Sequence, residues 1–163
     1  MNLVQIGVIH TPWREVAGMP VQPRGAAGAE GTVEVLPEYA DGLRDVDGFD
    51  RLWLVYWFHQ AGPARLSVRP FLDVVERGLF ATRSPCRPNA LGLSAVRLVR
   101  VEGCTLHVAD VDMLDGTPLV DIKPYVPEFD CFDVTRVGWL AGKKAADTKA
   151  DERFAAPGKG GSL

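Results

Sequence analysis

Arg83 and Arg87 stand four residues apart in the stretch Phe80-Ala-Thr-Arg-Ser-Pro-Cys-Arg-Pro-Asn89. A guanidinium keeps its charge at any working pH, and its planar fork of donors fits a carboxylate or a phosphate bidentately. Pro85 and Pro88 fix φ and push the residues before them, Ser84 and Arg87, toward extended geometry. The stretch therefore reads as a stiff loop at the mouth of a fold, holding guanidinium groups toward something anionic or rich in acceptors. Pairing with the acidic segment Glu30–Asp50 is the alternative. Asn89 suits a turn, or the reading of an amide or base edge with its paired donor and acceptor.

Two other clusters carry polar chemistry. His59 and Gln60 close the most apolar segment of the chain. There a histidine either sits satisfied in the core or lines a pocket, where its charge would switch near neutral pH. Asp110, Asp112 and Asp115 crowd one turn. Met113 and Leu114 interrupt the run, and no bidentate glutamate follows at loop spacing, so a calcium loop is excluded. The turn either connects a hairpin or presents carboxylates to a ligand's hydroxyl or amino groups. The glycines Gly25, Gly28 and Gly31 lack the strand and helix that a dinucleotide fingerprint needs, and fit a flexible loop. The chain has no phosphate-loop, nucleophile-elbow or zinc-protease pattern. Neither the three histidines nor the three cysteines have metal-ligand spacing, so no metal is expected.

These residues must be positioned by short strands. Val4–Ile9 and Gly31–Leu36 read as strands, with a glycine- and proline-rich loop between them. Pro37–Leu43 reads as a helical turn. Arg51–His59 is apolar at both parities, which predicts a strand buried on both faces. Phe71–Val75 is a weaker strand candidate. Gly92–Val101 and Cys104–Val108 predict a hairpin turned at Glu102-Gly103, and Leu119–Lys123 a last strand. Arg136–Ala141 suits a short helix. Short strands at short intervals, with little helical periodicity, predict a mainly β fold: an antiparallel barrel with short helices. One domain over residues 1–142 is expected, with a poorly ordered tail at 143–163, above all at 157–163.

The 163 residues suffice for one sizeable core. No apolar run approaches a transmembrane span, and no targeting segment is recognisable at the start. Three widely spaced cysteines point to a reducing, cytoplasmic setting. Net charge is −3, but its distribution is uneven. Glu30–Asp50 holds seven acids and one arginine, whereas Arg77–Arg100 holds five arginines and no acid. Either both regions are ordinary solvated surface, or the second is a patch for a polyanion.

The stretch Gly78-Leu-Phe-Ala-Thr-Arg-Ser-Pro-Cys-Arg-Pro-Asn-Ala-Leu-Gly-Leu-Ser94 resembles the signature of the TsaA/TrmO-like family of tRNA methyltransferases. So do Ile6–Pro12, Asp47–Leu54 with Phe58-His-Gln60, and Asp112–Tyr125. The resemblance covers roughly residues 3 to 130. It implies an antiparallel β-barrel that homodimerises, a non-Rossmann fold that binds S-adenosylmethionine, and tRNA as partner. It further implies methylation of N6 of N6-threonylcarbamoyladenosine beside the anticodon. Carried over by motif, donor contacts would come from Gln22, Pro23, Arg24, His59, Gln60, Arg83, Leu93 and Asp112, Met113, Leu114, Asp115. Arg87 and Asn89 would position the acceptor. Where the family commonly carries Pro-Arg-Gln, this chain has Pro20-Val21-Gln22. A non-catalytic S-adenosylmethionine-binding regulator of the same fold and a plain RNA-binding module are the alternative readings.

Overall fold

A computed structural model of the chain describes residues 2–143 and 148–156. The tail expectation at 157–163 lies outside these residues. The strands are β1 (Gly7–His10), β2 (Glu30–Val35), β3 (Arg51–Trp57), β4 (Ser67–Val68), β5 (Arg77–Gly78), β6 (Leu91–Glu102), β7 (Thr105–Ala109) and β8 (Thr117–Pro124). Six of them close an antiparallel barrel in the order β1-β2-β7-β6-β3-β8, and β8 returns to β1. The short pair β4 and β5 forms a separate ribbon. No helix among the described residues is long and apolar enough to cross a membrane.

Alternation builds the core. Ile9, Val33, Leu52, Leu54, Val96 and Leu119 point inward and are fully buried. Each such side chain contributes about 1.5–3 kcal/mol relative to exposure. Closing the sheet gives each of the six strands a neighbour on both sides over at least part of its length.

The expectation that β3 is buried on both faces is corrected. Leu52, Leu54 and Tyr56 face the interior, while Arg51, Trp53 and Val55 are half-buried and Trp57 is 41% exposed. The outer parity is apolar because it packs under loops, as when Trp53 meets the Tyr125 ring at 5.4 Å. β1 starts at Gly7 rather than Val4. Phe71–Val75 is not a strand: Pro70 precedes a turn whose Asp73 carboxylate accepts the Val74 N–H at 2.8 Å. The helix expected over Arg136–Ala141 shrinks to one tight turn at Gly138–Leu140, because Gly138 sits at positive φ. A four-residue helix, α1, appears instead at Pro127–Asp130, started by proline at its first position. The β6–β7 hairpin forms as the alternation predicts.

Strand order decides what the acidic turn does. β7 and β8 are not neighbours, so Asp110–Gly116 is no hairpin connection. It crosses beneath β2 and β1, where Val111 N–H donates to the Ala29 carbonyl and Asp115 N–H to that of Trp13. β6 also outruns β7. The last pairing between them is Arg97 with Ala109, so Leu91–Val96 pairs with β3 alone.

Candidate functional site

The antiparallel order places every chemistry-bearing segment at one barrel end. The β1–β2 loop carries Gln22, the end of β3 leads to His59 and Gln60, the signature loop leads into β6, and Asp110–Asp115 leads into β8. The seven acids of Glu30–Asp50 are exposed, and most belong to the β2–β3 connection at the other end. A cleft of about 310 Å³ lies at that other end too, lined by residues including Ile6, Tyr39, Leu43 and Phe49. It holds none of the expected site residues.

At the site end, the β6 overhang presents Ser94 to the interior. The Ser94 hydroxyl donates to Asp112 Oδ1 at 2.6 Å and lies 3.0 Å from the Tyr56 hydroxyl. With Asp112 ionised, each hydroxyl donates toward the carboxylate, from Tyr56 to Ser94 to Asp112. Asp112 is 7% exposed and Ser94 1%. Burial pushes the Asp112 carboxyl up to about 6, against the Ser94 hydrogen bond and the nearby Arg83 charge, which favour ionisation. Burial and the Asp112 charge both raise the Tyr56 phenol. A Cβ at Gly92 would run into the Tyr56 ring, so glycine is required for the ring to lie across β6.

The neighbouring carboxylates have separate tasks. Asp115 Oδ1 accepts the Thr11 N–H at 3.1 Å and lies 3.3 Å from His10 Nδ1. Burial pushes its carboxyl up, but these partners hold it below the ordinary range. Thr11 Oγ1 donates to the Met113 carbonyl at 2.8 Å, and Trp13 Nε1 to that of Val111 at 2.8 Å. Thus His10-Thr-Pro-Trp13 is the cradle of the crossing segment. Asp110, at positive φ, joins the first loop to the barrel wall: it accepts the Gly28 N–H at 2.9 Å and pairs with Arg51 at 2.8 Å. Among the described residues no group of three histidine, cysteine or acidic side chains could hold a metal ion.

The two signature arginines diverge. Arg83 reaches across to the first loop, donating to Gln22 Oε1 at 2.7 Å, and its charge is felt at Asp112 and Tyr56. Arg87 turns onto its own loop. It donates to the Thr82 carbonyl at 3.0 Å and lies 5.7 Å from the centre of the Phe80 ring. Among the described ion pairs, neither bonds the acidic segment Glu30–Asp50. Phe80 is 76% exposed, and Asn89 is exposed two residues beyond Arg87. Gln60 Nε2 lies 3.3 Å from His59 Nε2, and Phe58 N–H donates to the Ala90 carbonyl at 2.7 Å, tying the β3 end to the signature loop.

The structure thus brings Gln22, Arg83 and Asp112 into one cluster and fixes Met113, Leu114 and Asp115 in the same crossing segment. Pro23 and Arg24 occupy the tight turn after Gln22, with Arg24 exposed. Leu93 is not brought to the carboxylate. It lies on the outer face of β6, 52% exposed, opposite in parity to Ser94. Tyr56 and Ser94 were missed by sequence reasoning. The available signal was a hydroxyl among the otherwise apolar inward-facing residues of β3 and of the start of β6.

Comparison with known proteins gives concordant results. Residues 8–131 match the tRNA-methyltransferase O N-terminal domain. A probable S-adenosyl-L-methionine-binding protein of Pyrococcus abyssi is 48% identical over 151 residues, covering 91% of this chain and 82% of that protein. A tRNA (adenine(37)-N6)-methyltransferase of Escherichia coli is 41% identical over 133 residues, covering 76% of this chain but 57% of that protein. The crystal structure of TrmO from Pseudomonas aeruginosa superposes with a TM-score of 0.72 at 37% identity, over 85% of this chain and 62% of that one.

Proposed function

This chain belongs to the tRNA-methyltransferase O N-terminal domain family, and we propose that it transfers a methyl group from S-adenosylmethionine to tRNA, at N6 of N6-threonylcarbamoyladenosine just 3′ of the anticodon. The observation that carries this reading is the cluster at the barrel mouth, where a buried carboxylate, Asp112, lies within the field of Arg83, itself bonded to Gln22.

The donor set fits the methyl donor. S-adenosylmethionine is a sulfonium with an ammonium, a carboxylate, ribose hydroxyls and a purine. When bound it supplies an electrophilic methyl for in-line displacement. Asp112 and Asp115 would take its cationic and hydroxyl groups, Arg83 and Gln22 its carboxylate or purine edge, and His59 and Gln60 would close the side toward β3. Holding Asp112 ionised in a buried position costs free energy that a bound cation offsets.

The chain's own contribution is placement. The acceptor nitrogen lies between a carbonyl and a purine ring, which acidifies its proton, so positioning rather than a strong base is what the protein must provide. Phe80, exposed and backed by the Arg87 guanidinium, offers a stacking face to an unpaired base. Arg87 and Asn89 beside it would meet the threonyl carboxylate and the base edge. Homodimerisation follows the family expectation and is supported by the exposed apolar side chains of Phe129, Phe132, Val134, Val137 and Leu140. A cytoplasmic setting follows from the tRNA substrate.

The test is transfer of a labelled methyl from S-adenosylmethionine into tRNA purified from cells that can or cannot install threonylcarbamoyladenosine. Label in the modified tRNA alone is the expected result. Donor binding without transfer to either tRNA would instead make the chain a sensor of the donor, a reading that the naming of the Pyrococcus relative favours. RNA binding without donor affinity would overturn both.

A further inference from the structure

Residues 149–156 touch the site from outside the matched family region, which stops at residue 131. Lys149 bridges Pro20 antiparallel, with Ala150 N–H donating to the Met19 carbonyl at 2.8 Å and Gly18 N–H to the Ala150 carbonyl at 2.9 Å. Six residues on, Ala155 bridges Ala61. There Gly62 N–H donates to the Phe154 carbonyl at 2.8 Å, and Ala156 N–H to the Gln60 carbonyl at 3.0 Å. The same Phe154 carbonyl accepts the Cys86 thiol at 3.5 Å.

We propose that Lys149–Ala156 is a strap that holds the first loop, the β3 end and the signature loop in one register, with Phe154 as its positioning residue. Each loop is gripped close to a site residue: Pro20 is two positions from Gln22, Gln60 is bonded directly, and Cys86 is three positions from Arg83. Phe154 is 5% exposed and forms a second small core with Val68, Leu79 and Cys86. Its ring meets Phe71 edge-on at 5.0 Å, and Arg153 covers Phe71 at 4.9 Å. Arg153 is itself braced by Asp151, its Nη2 lying 2.6 Å from Asp151 Oδ2. One residue thus anchors the strap twice, by ring burial and by a carbonyl shared between two loops.

The physical consequence is preorganisation. Irregular loops at a barrel mouth lose conformational freedom when a ligand orders them, and a contact that orders them beforehand removes that cost from binding. The assignment of these loops to a methyl-donor site rests on the proposed function. The mechanical claim that the strap orders them does not.

The test uses the full chain, with Phe154→Ala and the conservative Phe154→Leu. Hydrogen exchange is followed in peptides over residues 18–22, 58–62 and 84–87, with strands 51–57 and 92–98 as the reference. S-adenosylhomocysteine affinity is measured by calorimetry. Phe154→Ala should speed exchange in all three loop peptides, leave the strands unchanged, and weaken binding about tenfold, the scale of re-ordering a few side chains; Phe154→Leu should restore most of both. Loops as protected in Phe154→Ala as in the wild type would overturn the proposal. If Phe154→Ala also opens the strands, Ala156→Pro decides. It removes the N–H donated to Gln60, while Ala155 before it is already extended, as a residue preceding proline must be; it should loosen 58–62 alone, and unchanged exchange there would overturn the strap. A wild type that fails to bind S-adenosylhomocysteine yet shows loosened loops in Phe154→Ala would refute the donor site and leave the strap standing.

Discussion

Asp112→Asn should make this protein more stable at neutral pH while weakening its site. In the fold the Asp112 carboxyl is pushed from 3.8 up to about 6, chiefly by burial. Between those values the folded state binds more protons than the unfolded chain, so this group's contribution to stability falls as pH rises, and the loss is complete above about pH 7. Two units at 1.36 kcal/mol each amount to about 3 kcal/mol. For a chain of this length that corresponds to about 6–12 °C in melting temperature. Asparagine has nearly the same shape, still accepts the Ser94 hydroxyl, and has no proton to lose. The wild-type curve alone mixes opposite slopes, because Asp110, Asp115 and Asp151 sit below their ordinary values and stabilise as pH rises. The informative quantity is therefore the melting temperature of Asp112→Asn minus that of the wild type, read from pH 4 to pH 7 by calorimetry. It should climb by the amount above across this window. A flat or falling difference would show that Asp112 is not a strained buried carboxylate, and the offset between stability and donor binding would have no basis.

Four further outcomes follow from the same geometry. Donor affinity of the wild type should decline as pH drops below about 6, where Asp112 takes up its proton, and Asp112→Asn should remove that dependence; titration calorimetry across pH reads both. Gly92→Ala places a methyl against the Tyr56 ring and should cost about 1–3 kcal/mol of stability by overpacking, with a change in the near-ultraviolet circular dichroism of Tyr56; an unchanged melt would show that the ring moves freely. Arg83→Ala should weaken donor binding about tenfold, the loss of one charge-assisted contact. Arg87→Lys, which keeps the charge but not the planar fork, should spare donor affinity and reduce transfer to threonylcarbamoyl-modified tRNA; collapse of donor affinity in Arg87→Lys would place that residue at the wrong ligand.

Much of the barrel was legible because alternation over β2, β6 and β7 is a local property of the chain. Strand β3 misled because apolar residues at both parities also describe an inner face in the barrel core and an outer face under loops, as Trp53 against Tyr125 shows. The acidic turn misled because strand order is non-local: Asp110–Gly116 has the residues of a hairpin turn, yet β7 and β8 are separated in the barrel. That same crossing brings Asp112 to Ser94, eighteen positions earlier in the chain. Arg83 stood out by its type and its proline-stiffened loop. Its pairing with Gln22, sixty-one positions away, depends on loops packing together and was not legible; the family resemblance only grouped the two among expected donor contacts. The strap was illegible for a related reason. Residues 148–156 show no apolar periodicity, and a single aromatic, Phe154, carries the docking.

The proposed reaction is methyl transfer to N6 of the threonylcarbamoyl-modified adenosine. Nucleoside mass spectrometry after incubation of this chain with S-adenosylmethionine and modified tRNA tests it most directly. The expected result is a gain of one methyl on the threonylcarbamoyladenosine nucleoside, retained on the base fragment after the threonyl portion is lost. A methyl found on the threonyl fragment, on another nucleoside, or on tRNA that lacks the modification would contradict it.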